Sequence, residues 1–249
     1  MKRLGIMAAL PQELGDLLTQ MRACGDVRTV ALGKRDYHIG EVAGVALVVT
    51  LARIGKVAAA TASALIHVFH GDAIVFTGVA GGVHADVKVG DVVIGETLLQ
   101  HDLDASPLFP RYEVPLLDRA RFDADRALTD ALAQAAQAFL AHDGDALATR
   151  FGVREPRVHR GLIVSGDRFV ASNAGVDTLR RKLPDALAVE MEGAALAQIC
   201  FEHDIPCAVV RTISDTADAH APASFAEFLI AIASTYSSGV LSRFLSTRG

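Results

Sequence analysis

The chain has 249 residues, 51% hydrophobic and 21% charged, and its 29 acids against 24 bases give a net charge of −5. That length fits one large α/β domain or two small ones, and the apolar share favours one well-filled core over disorder. No basic run marks a nucleic-acid partner, and no apolar stretch exceeds strand length, which argues against a membrane span.

Cys24, Cys200 and Cys207 are odd in number and lack CxxC spacing. They fit reduced thiols, and with no signal-type leader in the sequence the expected compartment is the cytoplasm. The histidines include no HExxH pair, and His101-Asp102-Leu103-Asp104 reads as a hydrogen-bonded loop, so neither metal nor cofactor is expected.

Taken in chain order, residues 4–10 predict a strand, and Pro11 opens a helix to about Met21, since proline suits a first helical turn. Residues 27–32, 37–42 and 45–51 read as strands separated by turn residues. An alanine-rich stretch, 55–69, reads as helix, and 73–77 as a buried strand running into a glycine turn at 78–82. Residues 87–99 hold a turn and a strand, 124–142 an amphipathic helix, and 143–157 a surface loop without period. After that come a strand (160–165), a helix (175–182), a strand (187–189), a helix (193–203) and a strand (207–213). One long helix, 224–245, closes the chain. Strands interleaved with helices call for a mostly parallel sheet covered on both faces, with ligands beyond the strands' carboxyl ends.

Three acids fall at such ends. Glu13 follows the first apolar run, Glu192 sits in Val189-Glu190-Met191-Glu192-Gly193, and Asp215 ends Arg211-Thr212-Ile213-Ser214-Asp215. A carboxylate ending a buried strand loses solvation, so chemical use is the first reading, and three together point to one pocket. Helix capping and first-turn charge are the bland alternatives. The glycines at 78–82 fit neither GxGxxG nor the P-loop, and Ser165-Gly166-Asp167 is not a nucleophile elbow.

Ala8–Glu13, Ile54-Gly55-Lys56, Thr77–Gly82, Lys88-Val89-Gly90-Asp91, Gly161–Asp167, Val189–Ala195 and Val210–Asp218 together resemble the purine nucleoside phosphorylase superfamily. Within it they are most similar to the 5′-methylthioadenosine/S-adenosylhomocysteine nucleosidases, and the likeness runs over nearly the whole chain. It implies a three-layer α/β sandwich around a mixed, partly barrelled sheet, a single domain, a homodimer, and hydrolysis of the N-glycosidic bond of 5′-substituted adenosines.

Such hydrolysis needs a neutralised leaving base, a tolerated ribosyl cation and a positioned water. The resemblance implies Asp215 as general acid toward adenine N7, Glu192 as the acceptor of the ribose hydroxyls and Glu13 as the base on water. Arg211 would orient the water or Glu13, and Ser214 would bond to the acid. Phe169 would stack on the base, with the Val170 backbone reading its edge. Met191, Leu10 and Ile54 would line the sugar side, Phe225 would close the pocket, and Val79 would offer its backbone N–H. Glu190 shares a strand face with Glu192 and suits a buried base as partner.

Four departures from the family pattern stand out. Val79 replaces a frequent serine, and Arg53 stands where glycine is usual. The loop at 101–115 aligns only at its start, and 143–157 is long. Leu108, Phe109 and Pro115 suit a thioalkyl tail, and Arg111 or Arg53 an acidic one. A phosphate-dependent nucleoside phosphorylase or an aminofutalosine nucleosidase is the runner-up. Against a phosphorylase, Glu13 sits where phosphate would bind and repels it. A non-catalytic nucleoside sensor is the rival of another class.

Overall fold

The computed structural model describes residues 3–153 and 155–248, the side chains of 222 and 223 apart. Its strands are β1 (Leu4–Ala8), β2 (Arg28–Leu32), β3 (Arg35–Val42), β4 (Val45–Leu51) and β5 (Ala73–Gly82), followed by β6 (Val92–Gln100), β7 (Arg121–Asp123), β8 (Val158–Ser165), β9 (Ala186–Glu190) and β10 (Cys207–Asp215). The helices are α1 (Leu17–Cys24), α2 (Thr61–His67), α3 (Arg126–Phe151), α4 (Asn173–Lys182), α5 (Gly193–Glu202), α6 (Ala221–Ala231) and α7 (Ala233–Ser246).

All ten strands join one sheet in the order β10-β6-β8-β9-β5-β1-β4-β3-β2, with β7 beside β6 and β10 returning to pair with β5. That last pairing closes β5, β10, β6, β8 and β9 into a ring, while β1 to β4 extend from it as an open sheet. Pairings are mixed: β1–β4, β1–β5, β5–β10, β6–β8 and β8–β9 are parallel, and β5–β9 and β6–β10 antiparallel.

Alternation within the strands fills both faces. Ile6, Leu47, Val49, Val75 and Val210 point into one core with α3 and α7, and Met7, Val48, Ile74, Phe76 and Val209 into another with α2 and α5. The result is a three-layer sandwich around a partly closed sheet, as expected.

Four local expectations are corrected. The stretch from Pro11 is not one helix: a 3₁₀ turn over Pro11–Leu14 stops at Gly15, with φ 56°, and α1 begins at Leu17. Gly15 is needed because α7 passes so close that a Cβ there would lie 2.3 Å from Ser238 Oγ. Residues 78–82 are not a turn; β5 runs buried through Gly82.

The expected loop at 143–157 is helical to Phe151. Leu147 is buried, Arg243 holds Asp143 at 2.9 Å, and the stop comes at Gly152 in the left-handed conformation, φ 70°. The closing helix is two, α6 and α7, bent by 52° across Ile232, whose side chain turns into the core. No single described helix is long and apolar enough to cross a membrane; the bent pair reaches that length, but α7 is packed against α3.

That packing depends on Gly239 in α7, where an added Cβ would lie 2.2 Å from the Phe139 ring of α3. Gly239→Ala gains helix propensity but overpacks the contact, so a net loss of about 1–3 kcal/mol is expected. Urea unfolding measures it; an unchanged midpoint would contradict the close approach.

Candidate active site

Glu13 hangs from the 3₁₀ turn after β1 and folds back on its own entry. Its Oε2 accepts the N–H groups of Ala9 at 2.8 Å and Leu10 at 2.7 Å, and its Oε1 that of Val79 in β5 at 3.0 Å. The turn therefore uses the acid as its cap, and the capping hydrogen bonds fix the carboxylate's place. Glu192 follows β9 and precedes α5, and its Oε1 accepts the Gly55 N–H at 2.8 Å. Asp215 ends β10, where a register shift swings it against Gly81; its Oδ2 accepts Ser214 Oγ–H and its Oδ1 Ala217 N–H, both at 2.8 Å.

All three carboxylates line one cavity of about 330 Å³. Leu10, Ile54, Val79, Phe169, Val170, Met191, Ser214 and Phe225 line it too, so eleven of the twelve residues singled out from sequence share its wall. The Phe169 and Phe225 rings meet edge to face, 5.6 Å between centroids, and together form an aromatic side of the cavity wall on which a flat heterocycle can stack.

Arg211 is the exception. Its guanidinium lies beneath the wall, 1% exposed, donates to Glu190 Oε2 at 2.6 Å, stands 3.9 Å from Glu192 Oε2, and caps the Phe76 ring at 4.2 Å. It reaches Glu13 only through its field. Arg211 is therefore a buried counter-charge that acts on Glu13 through its field, and the expected contact with water is corrected.

Glu190 takes the partner position anticipated for it. Its carboxylate also accepts the N–H groups of Glu192 and Gly193 at the start of α5 and the Ser165 hydroxyl.

Burial sets the acidities. The Glu13 carboxyl is pushed up by desolvation, against Arg211 and its three N–H donors. Desolvation also raises Asp215, opposed by Ser214 and the Ala217 N–H and helped by Asp218. Glu192 is pushed up to about 8, first by burial and then by the charge of Glu190, with Arg211 and the Gly55 N–H opposing. Carboxyls raised by burial keep their protons to higher pH than free ones, which suits proton exchange with a bound substrate.

Five wall residues carried no assignment from sequence: Ala9, Ala80, Gly81, Arg168 and Val189. The glycines of β5 have a geometric reason. A Cβ on Gly78 would lie 2.8 Å from Glu13 Oε1, and one on Gly81 would lie 2.9 Å from Asp215 Oδ1. Their spacing was visible as a glycine run, but its purpose was not. Among the described residues no cluster of three or more His, Cys, Asp or Glu side chains is placed to hold a metal.

Arg53 turns its guanidinium onto the Lys34 carbonyl at 2.7 Å, and Arg111 pairs with Asp104 at 3.3 Å. Neither these two nor Leu108, Phe109 and Pro115 line the cavity of the single chain.

The phosphorylase superfamily model matches residues 3–246. This chain belongs to the phosphorylase superfamily. Among solved members, it is similar to a 5′-methylthioadenosine/S-adenosylhomocysteine nucleosidase from Neisseria meningitidis in complex with methylthio-immucillin-A, with 37% identity, 99% and 100% coverage of this chain and that one, and a TM-score of 0.86. The enzyme of the same description from S. pneumoniae, with a transition-state inhibitor, is 31% identical over 99% of this chain and 100% of its own, TM-score 0.83. That from Helicobacter pylori, with butyl-thio-DADMe-Immucillin-A, is 30% identical over 98% and 97%, TM-score 0.81. The resemblance to the nucleosidase branch of the superfamily therefore extends from motifs to the whole fold.

The raised Glu192 acidity has a measurable sign. Between the ordinary carboxylate range and about 8, the folded chain keeps a proton that the unfolded chain has released, so stability falls as pH rises through that window. Glu192→Gln cannot release that proton and should flatten the slope. Urea unfolding between pH 5 and 8 checks it, and equal slopes for both chains would contradict the assignment.

Proposed function

We propose that this chain is an N-glycosyl hydrolase, one domain throughout, that cleaves 5′-substituted adenosines such as methylthioadenosine and S-adenosylhomocysteine to adenine and the ribose derivative. One observation carries the reading: Glu13, Glu192 and Asp215, from three separate strand ends, face a single cavity with an aromatic wall. The likeness to nucleosidases solved with methylthio and butylthio inhibitors supports the substrate class.

The chemistry follows from the geometry. Adenine stacks against the aromatic wall formed by Phe169 and Phe225, and the protonated Asp215 carboxyl donates to N7 as the C1′–N9 electron pair moves into the base. The ribosyl cation that forms is stabilised by the Glu192 carboxyl oxygens, which also accept the 2′- and 3′-hydroxyls. Glu13 takes a proton from a water whose oxygen bonds to C1′. Arg211 holds the Glu190 and Glu192 charges in place from below.

Val79 supplies no hydroxyl, so on this strand Glu13 is positioned by the backbone N–H alone. We place the working form as a homodimer. Ile54, Val57, Leu108 and Leu116 leave large apolar side chains exposed, and the Lys56–Asp102 bridge at 2.8 Å ties two of those segments together.

Two assays test the reading. Asp215→Asn keeps shape and loses the proton, so kcat should drop by at least about a hundredfold, at the lower end of general-acid contributions, while inhibitor affinity holds. Near-normal turnover in that variant would remove Asp215 from the mechanism. Adenine release should proceed without phosphate and stay unchanged when phosphate is added; strict dependence on phosphate would make the chain a phosphorylase.

A further inference from the structure

The wall of the cavity carries four acids, Glu13, Glu190, Glu192 and Asp215, and one uncommitted base at its mouth. Arg168 lines the cavity between Asp167 and Phe169, is exposed, and makes no hydrogen bond or ion pair with any described residue. Every other base nearby is engaged: Arg211 with Glu190, Arg53 with the Lys34 carbonyl, Lys56 with Asp102 and Arg111 with Asp104.

Its place is the sugar side of the opening. Asp167 Oδ1 accepts the Lys56 N–H at 2.7 Å, and the adjacent Gly55 N–H goes to Glu192 at 2.8 Å, so the Arg168 segment abuts the loop that positions the ribose clamp. Ile54, 55% exposed, and Phe169, 41% exposed, form the rim around it. A substituent on the 5′ carbon of a sugar held by Glu192 has to pass this rim to leave the cavity.

We infer that Arg168 is a specificity-determining residue that selects nucleosides whose 5′ substituent ends in a carboxylate. A wall with more carboxyls than bases disfavours an anionic tail, and a cation at the point of exit offsets that. Guanidinium suits the task because its fork meets both oxygens of a carboxylate at once. A neutral alkylthio tail gains nothing from it. The inference rests on the nucleosidase reading above and adds the tail chemistry to it.

The test uses 5′-S-(2-carboxyethyl)-5′-thioadenosine and its methyl ester, two nucleosides alike in all but tail charge, with methylthioadenosine as the functional control. For the full chain, Arg168→Met should lower the acid-to-ester ratio of kcat/KM about fivefold, the upper range for a solvent-exposed ion pair, chiefly through KM. Arg168→Lys should restore part of the ratio, and added salt should shrink it in the unaltered chain. Adenine release from methylthioadenosine with an acid-to-ester ratio that Arg168→Met leaves unchanged overturns the selectivity role alone. No adenine release from methylthioadenosine by the unaltered chain overturns the hydrolase reading, and this inference with it.

Discussion

The guanidinium of Arg211 is cut off from water beneath the cavity, and the rest of the site is organised around that fact. A buried cation must be met by anions, and Glu190 at 2.6 Å meets it directly, with Glu192 at 3.9 Å and Glu13 within its field. One positive charge faces three carboxyls, so the floor has negative charge to spare. Burial raises both Glu13 and Glu192, and for Glu192 the charge of Glu190 adds to it. A transition state that develops positive charge on the sugar supplies what the floor lacks. The proposed enzyme is thus complementary to the ribosyl cation before any substrate arrives, which is where differential binding has its effect.

The same excess explains why β5 needs glycine. Glu13 and Asp215 approach the strand so closely that a methyl at Gly78 or Gly81 would meet their oxygens. Backbone N–H groups can reach a carboxylate only where no side chain intervenes, and Val79 N–H to Glu13 is such a contact. The strand is at once part of the closed ring and the surface on which two of the acids rest. Fold and chemistry share these residues, so a substitution there should disturb both.

Much of this was legible in the sequence because apolar runs and terminal acids obey local rules. The strand-helix alternation, the closing acids and the aromatic pair Phe169 and Phe225 all fell where period and motif put them. What failed depended on contacts distant in sequence. Residues 143–157 showed no period and read as a loop, yet α3 continues to Phe151 because Leu147 is buried and Arg243 reaches Asp143. The break at Ile232 carries no proline or glycine, and the glycines of 78–82 looked like a turn because the groups that crowd them come from other strands. Arg211 looked like a substrate contact because four residues of spacing cannot say on which side of a wall a guanidinium lies. Arg168 drew no attention because its character comes from lacking a partner, which only coordinates reveal.

The central claim is spatial: three acids hold one sugar–base junction, above a counter-charge that substrate does not touch. A crystal structure of this chain with a cationic iminoribitol analogue of methylthioadenosine tests it most directly. The account predicts Glu192 bonded to both sugar hydroxyls, Asp215 at hydrogen-bond distance from the purine N7, and a water held by Glu13 beneath the anomeric position, with Arg211 still on Glu190. An analogue bound with Asp215 turned away from the base, or with Arg211 in direct contact with the ligand, would contradict it.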